Sequence, residues 1–311
     1  MPLLDRWKEP FSRERQALEL RTEHIEGFRR AQRLAYDSAL AVEKQLCEGM
    51  TEQTAAYLMQ RYLAERGVRE YFHTPFAWFG DRTSFANFRS DRDFAPTARR
   101  LKAGDPVILD VAPVVDGHAA DIGYSCSLGE NALHEQMVAD LLEFRGLILD
   151  GVKSGRKRSE IYRDCDRLIQ LNGYRNRHQR YPDRVLGHRV TWTPEHHRSE
   201  RTIMGFGLQT FGTVIAGKLM TRFTKGFQSP LWNDDATSDH PATPGLWAIE
   251  PHLGFRGTGA KWEELLVVTE NDAYWIDDDV PHMRRDEARK REVKAGVVGR
   301  ANGAATVEAS P

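Results

Sequence analysis

Two aspartates, Asp110 and Asp121, lie eleven residues apart in a mostly apolar segment of the chain. Between them stands Asp116-Gly117, and Asp-Gly between two apolar runs is a strong signal for a β-hairpin with a two-residue turn. Such a turn places Asp121 opposite Ala112, with Asp110 two positions further along on the same face. The two backbones are then roughly 7–8 Å apart, so the carboxylates could share one metal ion or hold two. The alternative is that both are surface residues of an exposed strand.

A second acidic pair, Glu250 and Glu263, lies around a glycine-rich bend. If this bend is symmetric about Arg256-Gly257, the two glutamates face each other across a second hairpin and project to one face. His188 lies on a short apolar strand between the two hairpins. Each residue also has a plainer interpretation, because a glutamate before proline is usually exposed and a lone histidine on an apolar strand is usually part of the core.

Together these residues form a set of four carboxylates and one imidazole. Oxygen-rich sets of this kind suit Mn²⁺, Co²⁺, Fe²⁺ or Zn²⁺ better than a structural zinc site, which prefers thiolates. Two such ions about 3.5–4 Å apart would share a bridging water, lower its pKa and polarise a substrate carbonyl. The set therefore predicts two divalent metal ions and hydrolytic chemistry.

The elements that must position these residues repeat along the chain. Helical periodicity runs from about residue 11 to 66, with a stop at Gly49 and a restart capped by Thr51, and it is followed by the aspartate hairpin. A second helical pair over 133–153 and 159–171 precedes strands near 186–193, 246–253 and 261–269. This order predicts an α+β fold with internal pseudo-symmetry. We expect one domain over residues 1–283 and a charged, disordered tail over 284–311.

Composition excludes several classes of partner. The formal net charge of the 311-residue chain is −1, which gives no general attraction to nucleic acid or to an anionic membrane surface. The three cysteines are widely spaced and the first residues lack an apolar signal segment. We therefore expect a cytoplasmic protein that acts on a small molecule or short peptide and binds neither nucleic acid nor membrane.

Taken together, the motifs resemble the pita-bread metallopeptidases: methionine aminopeptidase, prolidase, aminopeptidase P and their non-peptidase relative creatinase. The resemblance covers about residues 20–276. It rests on EGMTE (48–52), LDVAPVVDGHAAD (109–121), Gly187-His188, AIEP (248–251) and WEELLVVTEN (262–271). It implies a curved antiparallel sheet with two pseudo-symmetric helix pairs on its convex face, and a homodimer.

The resemblance also implies roles for individual residues. Asp121 would bridge the two metals or bind one in bidentate fashion. Glu250 would be the proton shuttle, and Glu263 rather than Glu264 would be the ligand, because a threonine follows it six residues later. The implied metal ligands are Asp110, Asp121, His188, Glu250 and Glu263.

The chain departs from the family pattern near the substrate. Alignment of Gly80–Phe88 places Asn87 where the peptidases carry a histidine, and an amide cannot supply a proton as histidine does. Arg189 stands where small residues are usual; it could clamp a substrate carboxylate or point outward. A further family histidine lies seven residues after the ligand histidine, where this chain has Glu195. A one-residue shift would supply His196, favoured as a catalytic residue, with His197 beside it in contact with substrate. An aromatic-rich insertion over about 199–243 could be a lid, a loop exchanged between subunits, or additional core.

Three functions remain open at this point. The first is a dinuclear metal-dependent hydrolase resembling Xaa-Pro dipeptidases and aminopeptidases, in which metal-activated water attacks an amide C–N bond. The second is a non-peptidase enzyme on the same fold, a creatinase-like C–N hydrolase or a lyase. The third is a binding module without catalysis. Five ligands and a glutamate shuttle favour the first.

Overall fold

Two helical pairs alternate with two β-hairpins along the chain, which is the order that the sequence predicts. The computed structural model describes residues 9–224 and 227–294. The α-helices of this part are α1 (Arg13–Glu19), α2 (Thr22–Glu43), α3 (Glu52–Ala64), α4 (Ala132–Asp140), α5 (Glu143–Lys153), α6 (Arg158–Leu171), α7 (Thr210–Phe223) and α8 (Pro281–Lys294). The strands are β1 (Glu70–Phe79), β2 (Pro106–Val115), β3 (His118–Ala119), β4 (Ile122–Ser127), β5 (Arg175–Asn176), β6 (Gly187–Val190), β7 (Thr202–Ile203), β8 (Phe206–Gly207), β9 (Leu231–Trp232), β10 (Gly245–Ile249), β11 (His252–Phe255), β12 (Thr258–Lys261), β13 (Glu264–Val268) and β14 (Ala273–Trp275).

The strands form three antiparallel sheets. The first has the order β3-β2-β1-β8-β7, with β4 also paired to β2. The second has the order β14-β13-β10-β6-β9, and the third is β12-β11-β5. An isolated bridge between Gly123 and Glu263 joins the first sheet to the second hairpin.

Each helical pair covers one face of a sheet. Apolar side chains of α2 and α3 pack on β2, where Val107, Leu109 and Val111 point toward the helices. Apolar side chains of α5 and α6 pack in the same way on β10 and β13, against Trp247 and Leu266. Because side chains alternate along a strand, the opposite faces of these sheets are left to line the interior between the two halves.

Both hairpins have the register that the sequence predicts. Asp116 and Gly117 have φ values of 48° and 79°, and Val115 pairs with His118. Arg256 and Gly257 have φ values of 46° and 83°, and Phe255 pairs with Thr258. Positive φ at both central residues is the type I′ geometry that matches the twist of hairpin strands.

The structure differs from the predicted elements in three places. The helix expected over 133–153 is interrupted by a turn at Leu141 and Leu142, where the Leu141 carbonyl accepts from Phe144 N at 3.2 Å and from Trp262 Nε1 at 2.9 Å. The insertion over 199–243, for which no helix is predicted, contains α7, where Gly217 packs tightly against Phe11 and Pro230. Residues 284–294 of the predicted disordered tail belong to α8, which is held to the core by His282 on Glu264 at 2.7 Å. Residues 295–311 of that tail lie outside the described residues.

No helix among the described residues is long and apolar enough to cross a bilayer.

We predict that Glu52→Ala lowers the free energy of unfolding by about 3 kcal/mol, because it leaves buried donors and an arginine without their carboxylate. Glu52 is fully buried at the start of α3. It accepts hydrogen bonds from Phe79 N at 3.0 Å, Thr97 N at 2.9 Å and Arg82 Nε at 2.9 Å. Urea unfolding followed by circular dichroism measures the change.

Glu65→Ala, at the other end of α3, is the matched control. Glu65 and Arg61 form an exposed pair at 3.6 Å, which is worth no more than about 0.5 kcal/mol. Equal losses in the two variants would contradict the assignment of Glu52 as the anchor of β1 and its following loop.

Candidate metal centre

The two hairpins and β6 bring the predicted acidic residues and His188 into one buried cluster. Their exposed fractions lie between 2% and 6%. All of them line the floor of a single cavity of about 650 Å³. The members of this floor cluster from the sequence prediction are Asp110, Asp121, His188, Glu250 and Glu263.

Strand alternation explains why these side chains meet. On β2, Val107 and Leu109 face the helices, whereas Ile108 and Asp110 face the cavity side. Ala248 pairs with His188 across β10 and β6. The pairs on either side of Glu250 and Glu263, which are Ile249 with Glu264 and His252 with Lys261, keep one register. Glu250 and Glu263 therefore lie opposite each other, as predicted.

The backbone at Glu263 is fixed from both halves of the fold. Its N–H donates to Gly123 O at 3.1 Å, and its carbonyl accepts from the hydroxyl of Tyr36 at 2.7 Å. The ligand carboxylate thus stands on a rigid junction between β4, α2 and the second hairpin.

His73 is a second imidazole of the site that the sequence analysis missed. It lies on β1, opposite Ala112 of β2, and its Nε2 is 3.1 Å from both Asp110 Oδ1 and Asp121 Oδ1. A single histidine in an aromatic-rich strand does not by itself indicate a ligand. The position of His73 at the site depends on the pairing of β1 with β2, which is irregular on both sides of His73.

Asn87, which the sequence alignment placed at the upstream histidine position, is corrected by the structure. It is exposed and does not line the cavity. The reason is local: Gly80–Ser84 form a 3-10 turn and Phe85 has a φ of 49°. Phe85 and Phe88 stay buried, and Asn87 between them is turned to solvent. His73 supplies the imidazole at the floor instead.

Both imidazoles are oriented as metal-binding histidines usually are. His73 Nδ1 donates to Thr74 O at 2.9 Å, and His188 Nδ1 donates to Arg189 O at 3.2 Å. Phe76 stacks on His73 and Phe72 stacks on His188, with ring centroids 4.9 and 4.7 Å apart. A backbone acceptor at one nitrogen fixes the tautomer and leaves the other nitrogen for a ligand bond.

Two groups of donors have the spacing that a metal ion needs. One is His73, Asp110 and Asp121; the other is Asp121, His188 and Glu263. Oxygen and imidazole donors at this spacing fit a divalent transition metal. These are the groups found among the described residues, and Glu250 belongs to neither of them.

The buried carboxylates of the cluster need nearby cations in order to be ionised. Burial raises the pKa of Glu263 well above its usual range, and the negative charges of Asp121 and Glu250 raise it further. Burial also raises the pKa of Asp121, but the charge of His73 and hydrogen bonds from His188 and His73 outweigh it, so that this pKa is lowered.

Lys261, a cation, lies inside the cluster and was also missed. Its ammonium donates to Asp110 Oδ2 at 2.5 Å, Glu250 Oε2 at 2.8 Å and Glu263 Oε2 at 2.9 Å. Lys261 lies two residues before Glu263, so strand alternation puts both on one face. A lysine is ordinarily a surface residue, so its residue type alone does not predict this buried position.

Arg189 does not reach the cavity, which corrects its assignment as a substrate residue. It is adjacent to His188 on β6 and therefore points to the opposite face. Its guanidinium donates to Glu19 Oε2 at 3.1 Å and to Pro244 O at 2.6 Å. Arg189 thus fastens α1 to the start of β10.

His196 and His197 are likewise corrected as site residues. They lie in a 3-10 turn, Glu195–His197, and their rings contact each other at 4.2 Å. His196 is exposed, and neither ring lines the cavity. The preceding residue Thr193 donates its N–H to Gly117 O at 2.8 Å, which holds the chain at the turn of the first hairpin.

The insertion over 199–243 builds part of the cavity wall and part of the core. Phe206 and Phe211 line the cavity, whereas Trp232 is fully buried against Trp247. Phe223 at the end of α7 is 82% exposed. Phe72, Phe76, Trp78, Phe94 and Tyr181 complete the aromatic lining of the cavity wall.

Glu264, the residue after Glu263, belongs to a separate hydrogen-bond network. Its oxygens accept from Arg145 Nε at 2.8 Å and Nη2 at 3.0 Å, and from His282 at 2.7 Å. Burial raises the pKa of Glu264, but the charges of His282 and Arg145 outweigh it and lower the pKa below 4.5. The structure therefore separates a structural Glu264 from Glu263 at the floor.

We predict that Glu263→Gln weakens Mn²⁺ or Zn²⁺ binding by at least roughly 100-fold, the upper range found even for residues that only orient ligands. Glu264→Gln should retain metal affinity and lose stability, since it breaks a buried ion pair. Isothermal titration calorimetry and urea unfolding separate the two effects. Loss of metal from the Glu264 variant with retention in the Glu263 variant would reverse the assignment.

The pH dependence of the Glu264 variant follows from the direction of its pKa. A carboxyl with a lowered folded-state pKa contributes stability above its unfolded value and loses it as the pH falls through the folded value. The stability difference between the wild type and Glu264→Gln should therefore be full at pH 7 and shrink below about pH 4.5. A difference that grows on acidification would contradict this.

Comparison with known proteins places this geometry in a family. The family model described as metallopeptidase family M24 matches residues 26–270. No curated protein sequence gives a significant match.

Solved structures share the fold at low sequence identity. An X-Pro aminopeptidase from Thermotoga maritima has a TM-score of 0.63 at 18% identity, covering 86% of this chain and 65% of that one. The prolidase from Pyrococcus furiosus has a TM-score of 0.60 at 18% identity, covering 84% and 66%. A methionine aminopeptidase from Rickettsia prowazekii has a TM-score of 0.53 at 13% identity, covering 85% and 98%.

The chain thus spans about two thirds of the X-Pro aminopeptidase and prolidase structures and nearly all of the methionine aminopeptidase structure. At these identities the likeness establishes the pita-bread fold. The family match covers most of the chain and includes all of the clustered acids and both imidazoles. The chain therefore belongs to metallopeptidase family M24, a family of metal-dependent hydrolases.

Proposed function

We propose that this chain is a metal-dependent hydrolase that directs an activated water at the amide C–N bond of a small substrate. The proposal resembles the reaction of the Xaa-Pro dipeptidases and aminopeptidases. It rests chiefly on one observation: four carboxylates and two imidazoles are buried together at the floor of an otherwise apolar cavity. Burying this many ionisable groups costs free energy. Their presence is therefore best explained by a reaction that takes place there.

The metal is assigned to Asp121, His188 and Glu263. A divalent ion bound there supplies a Lewis acid that polarises a carbonyl oxygen and acidifies a bound water. The identity of the ion, whether manganese, cobalt, iron or zinc, is left to metal analysis. All four ions accept oxygen and imidazole donors.

Glu250 is the proposed proton carrier. It lies at the cavity floor, and its Oε2 accepts from Lys261. Burial raises its pKa, and although the charge of Lys261 lowers it, the net direction is upward. A carboxyl of this kind takes a proton from the attacking water and returns it to the leaving nitrogen.

His73 takes the role for which the sequence suggested Asn87. Burial lowers its pKa, but the charge of Asp121 and hydrogen bonds to Asp110 and Asp121 outweigh this and raise it well above the usual value. His73 thereby helps to neutralise the two aspartates, and it lines the cavity where a substrate would approach.

The cavity favours an apolar substrate. Its walls are mostly aromatic and aliphatic side chains from β1, β8 and α7, and one lysine of the wall, Lys218, is already paired with Asp183. Pockets of several hundred Å³ with apolar walls and a few polar groups are typical of small-molecule sites. A short peptide or an amide that carries an aromatic or aliphatic group fits this lining.

The same walls favour the second candidate, a non-peptidase enzyme acting on a small aromatic amide. The two functions differ in what the enzyme turns over. A binding module without catalysis is the third possibility, and it predicts metal without turnover or no metal at all.

We predict that protein loaded with Mn²⁺, Co²⁺, Fe²⁺ or Zn²⁺ hydrolyses at least one member of a panel of dipeptides and N-acyl amides. The panel should include Xaa-Pro and aromatic members, and amine release should be followed by chromatography. Glu250→Gln should lower kcat by about 100-fold or more because it removes the proton carrier. No turnover of any member by fully metal-loaded protein would contradict the proposed function.

We predict that Phe211→Ala raises KM for an aromatic substrate with a smaller effect on kcat, because a wall residue contributes binding rather than chemistry. Phe223→Ala is the matched control, since this phenylalanine lies on the same helix and is 82% exposed. Equal effects of the two variants on KM would show that the cavity wall does not contact the substrate.

Two further expectations stay predictions. A homodimer is implied by the family resemblance, and sedimentation equilibrium tests it. A cytoplasmic location is tested by fractionation of the source cells.

A further inference from the structure

The cluster at the cavity floor holds a cation of its own. Lys261 is the last residue of β12 and is 1% exposed. Its ammonium has three N–H donors, and each meets a different carboxylate: Asp110 at 2.5 Å, Glu250 at 2.8 Å and Glu263 at 2.9 Å. Three of the four acids of the floor are therefore neutralised in part by one side chain of the same protein.

The surrounding residues are shaped to receive this side chain. A Cβ at Gly123 would lie 2.3 Å from Lys261 Cε and 3.1 Å from Nζ, so only glycine leaves the space that the lysine fills. Ser125 Oγ donates to Lys261 O at 2.7 Å and accepts from Lys261 N at 2.9 Å. The ammonium also lies 5.2 Å from the ring of Tyr181, within range of a cation–π contact.

The carboxylates divide their oxygens between the lysine and the opposite side of the cluster. Glu263 offers Oε2 to Lys261, while its Oε1 lies 4.0 Å from His188 Nε2. Asp121 has no contact with Lys261 among those described and faces His188 with Oδ2 and His73 with Oδ1. Asp110 is divided in the same way, with Oδ2 on Lys261 and Oδ1 3.1 Å from His73 Nε2. One side of the cluster is thus filled by an ammonium, and the other side keeps imidazole and carboxylate donors for an ion.

We propose that the Lys261 ammonium takes the place of one of the two divalent ions expected from the sequence, so that the site holds a single ion at Asp121, His188 and Glu263. This inference rests on the proposed metal-dependent function and reduces the two ions predicted from the sequence to one. The other donor group is His73, Asp110 and Asp121. An ion there would share Asp110 with an ammonium that is already bonded to it, and the same ammonium also holds Glu250. The two cations would lie at a separation where like charges repel strongly.

The first test counts metal in the intact protein. Wild-type protein equilibrated with excess Mn²⁺ and freed of unbound ion should contain one equivalent by mass spectrometry of the elements. Lys261→Met should contain two, because an apolar side chain of similar length leaves three carboxylates without their cation. Lys153→Met is the matched control, since Lys153 forms an exposed pair with Asp272 at 3.2 Å, and it should contain one.

Two equivalents or none in the wild type, or one equivalent in a folded Lys261→Met variant, would overturn the inference. Circular dichroism establishes whether that variant is folded. A measurement on the wild type alone keeps the test independent of it. The electron paramagnetic resonance spectrum of the Mn²⁺ protein should be that of isolated ions, and a spin-coupled pair would overturn the inference.

These outcomes separate the metal count from the function. Two coupled ions with turnover of an amide would overturn the single-ion inference and leave the proposed function intact. One ion without turnover of any amide would contradict the proposed function and leave the single-ion inference intact.

Discussion

Four buried carboxylates are the constraint around which this structure is arranged. Asp110, Asp121, Glu250 and Glu263 lie within reach of one another and away from water, and like charges in such a place cannot all ionise without nearby cations. The chain supplies part of the compensation through Lys261 and through His73 and His188. We infer that a divalent ion compensates the remaining negative charge, which makes the cluster a candidate metal site.

The scaffold places these charges through two equivalent hairpins. Each turns on two residues with positive φ, and each keeps one register from its turn to its acids. The helix pairs cover the outer faces of the sheets and leave the inner faces to the cavity. The bridge between Gly123 and Glu263 then joins the two halves at the metal cluster.

Features that depend on local interactions can be predicted from the sequence of this chain. The turns at Asp116-Gly117 and Arg256-Gly257 determine registers that follow from counting residues, so the acids were placed correctly relative to each other. His73 and Lys261 were missed because their positions depend on pairing between distant strands and on the room left by Gly123. Arg189 and Asn87 were assigned to the substrate by alignment, whereas strand alternation and the turn after β1 direct them elsewhere.

The most direct measurement is anomalous X-ray scattering at the manganese edge from crystals of the wild-type protein grown with Mn²⁺. The account predicts one anomalous peak, bounded by Asp121, His188 and Glu263, with the Lys261 ammonium still between Asp110 and Glu250. Two peaks a few ångströms apart, with Lys261 displaced from these carboxylates, would contradict it.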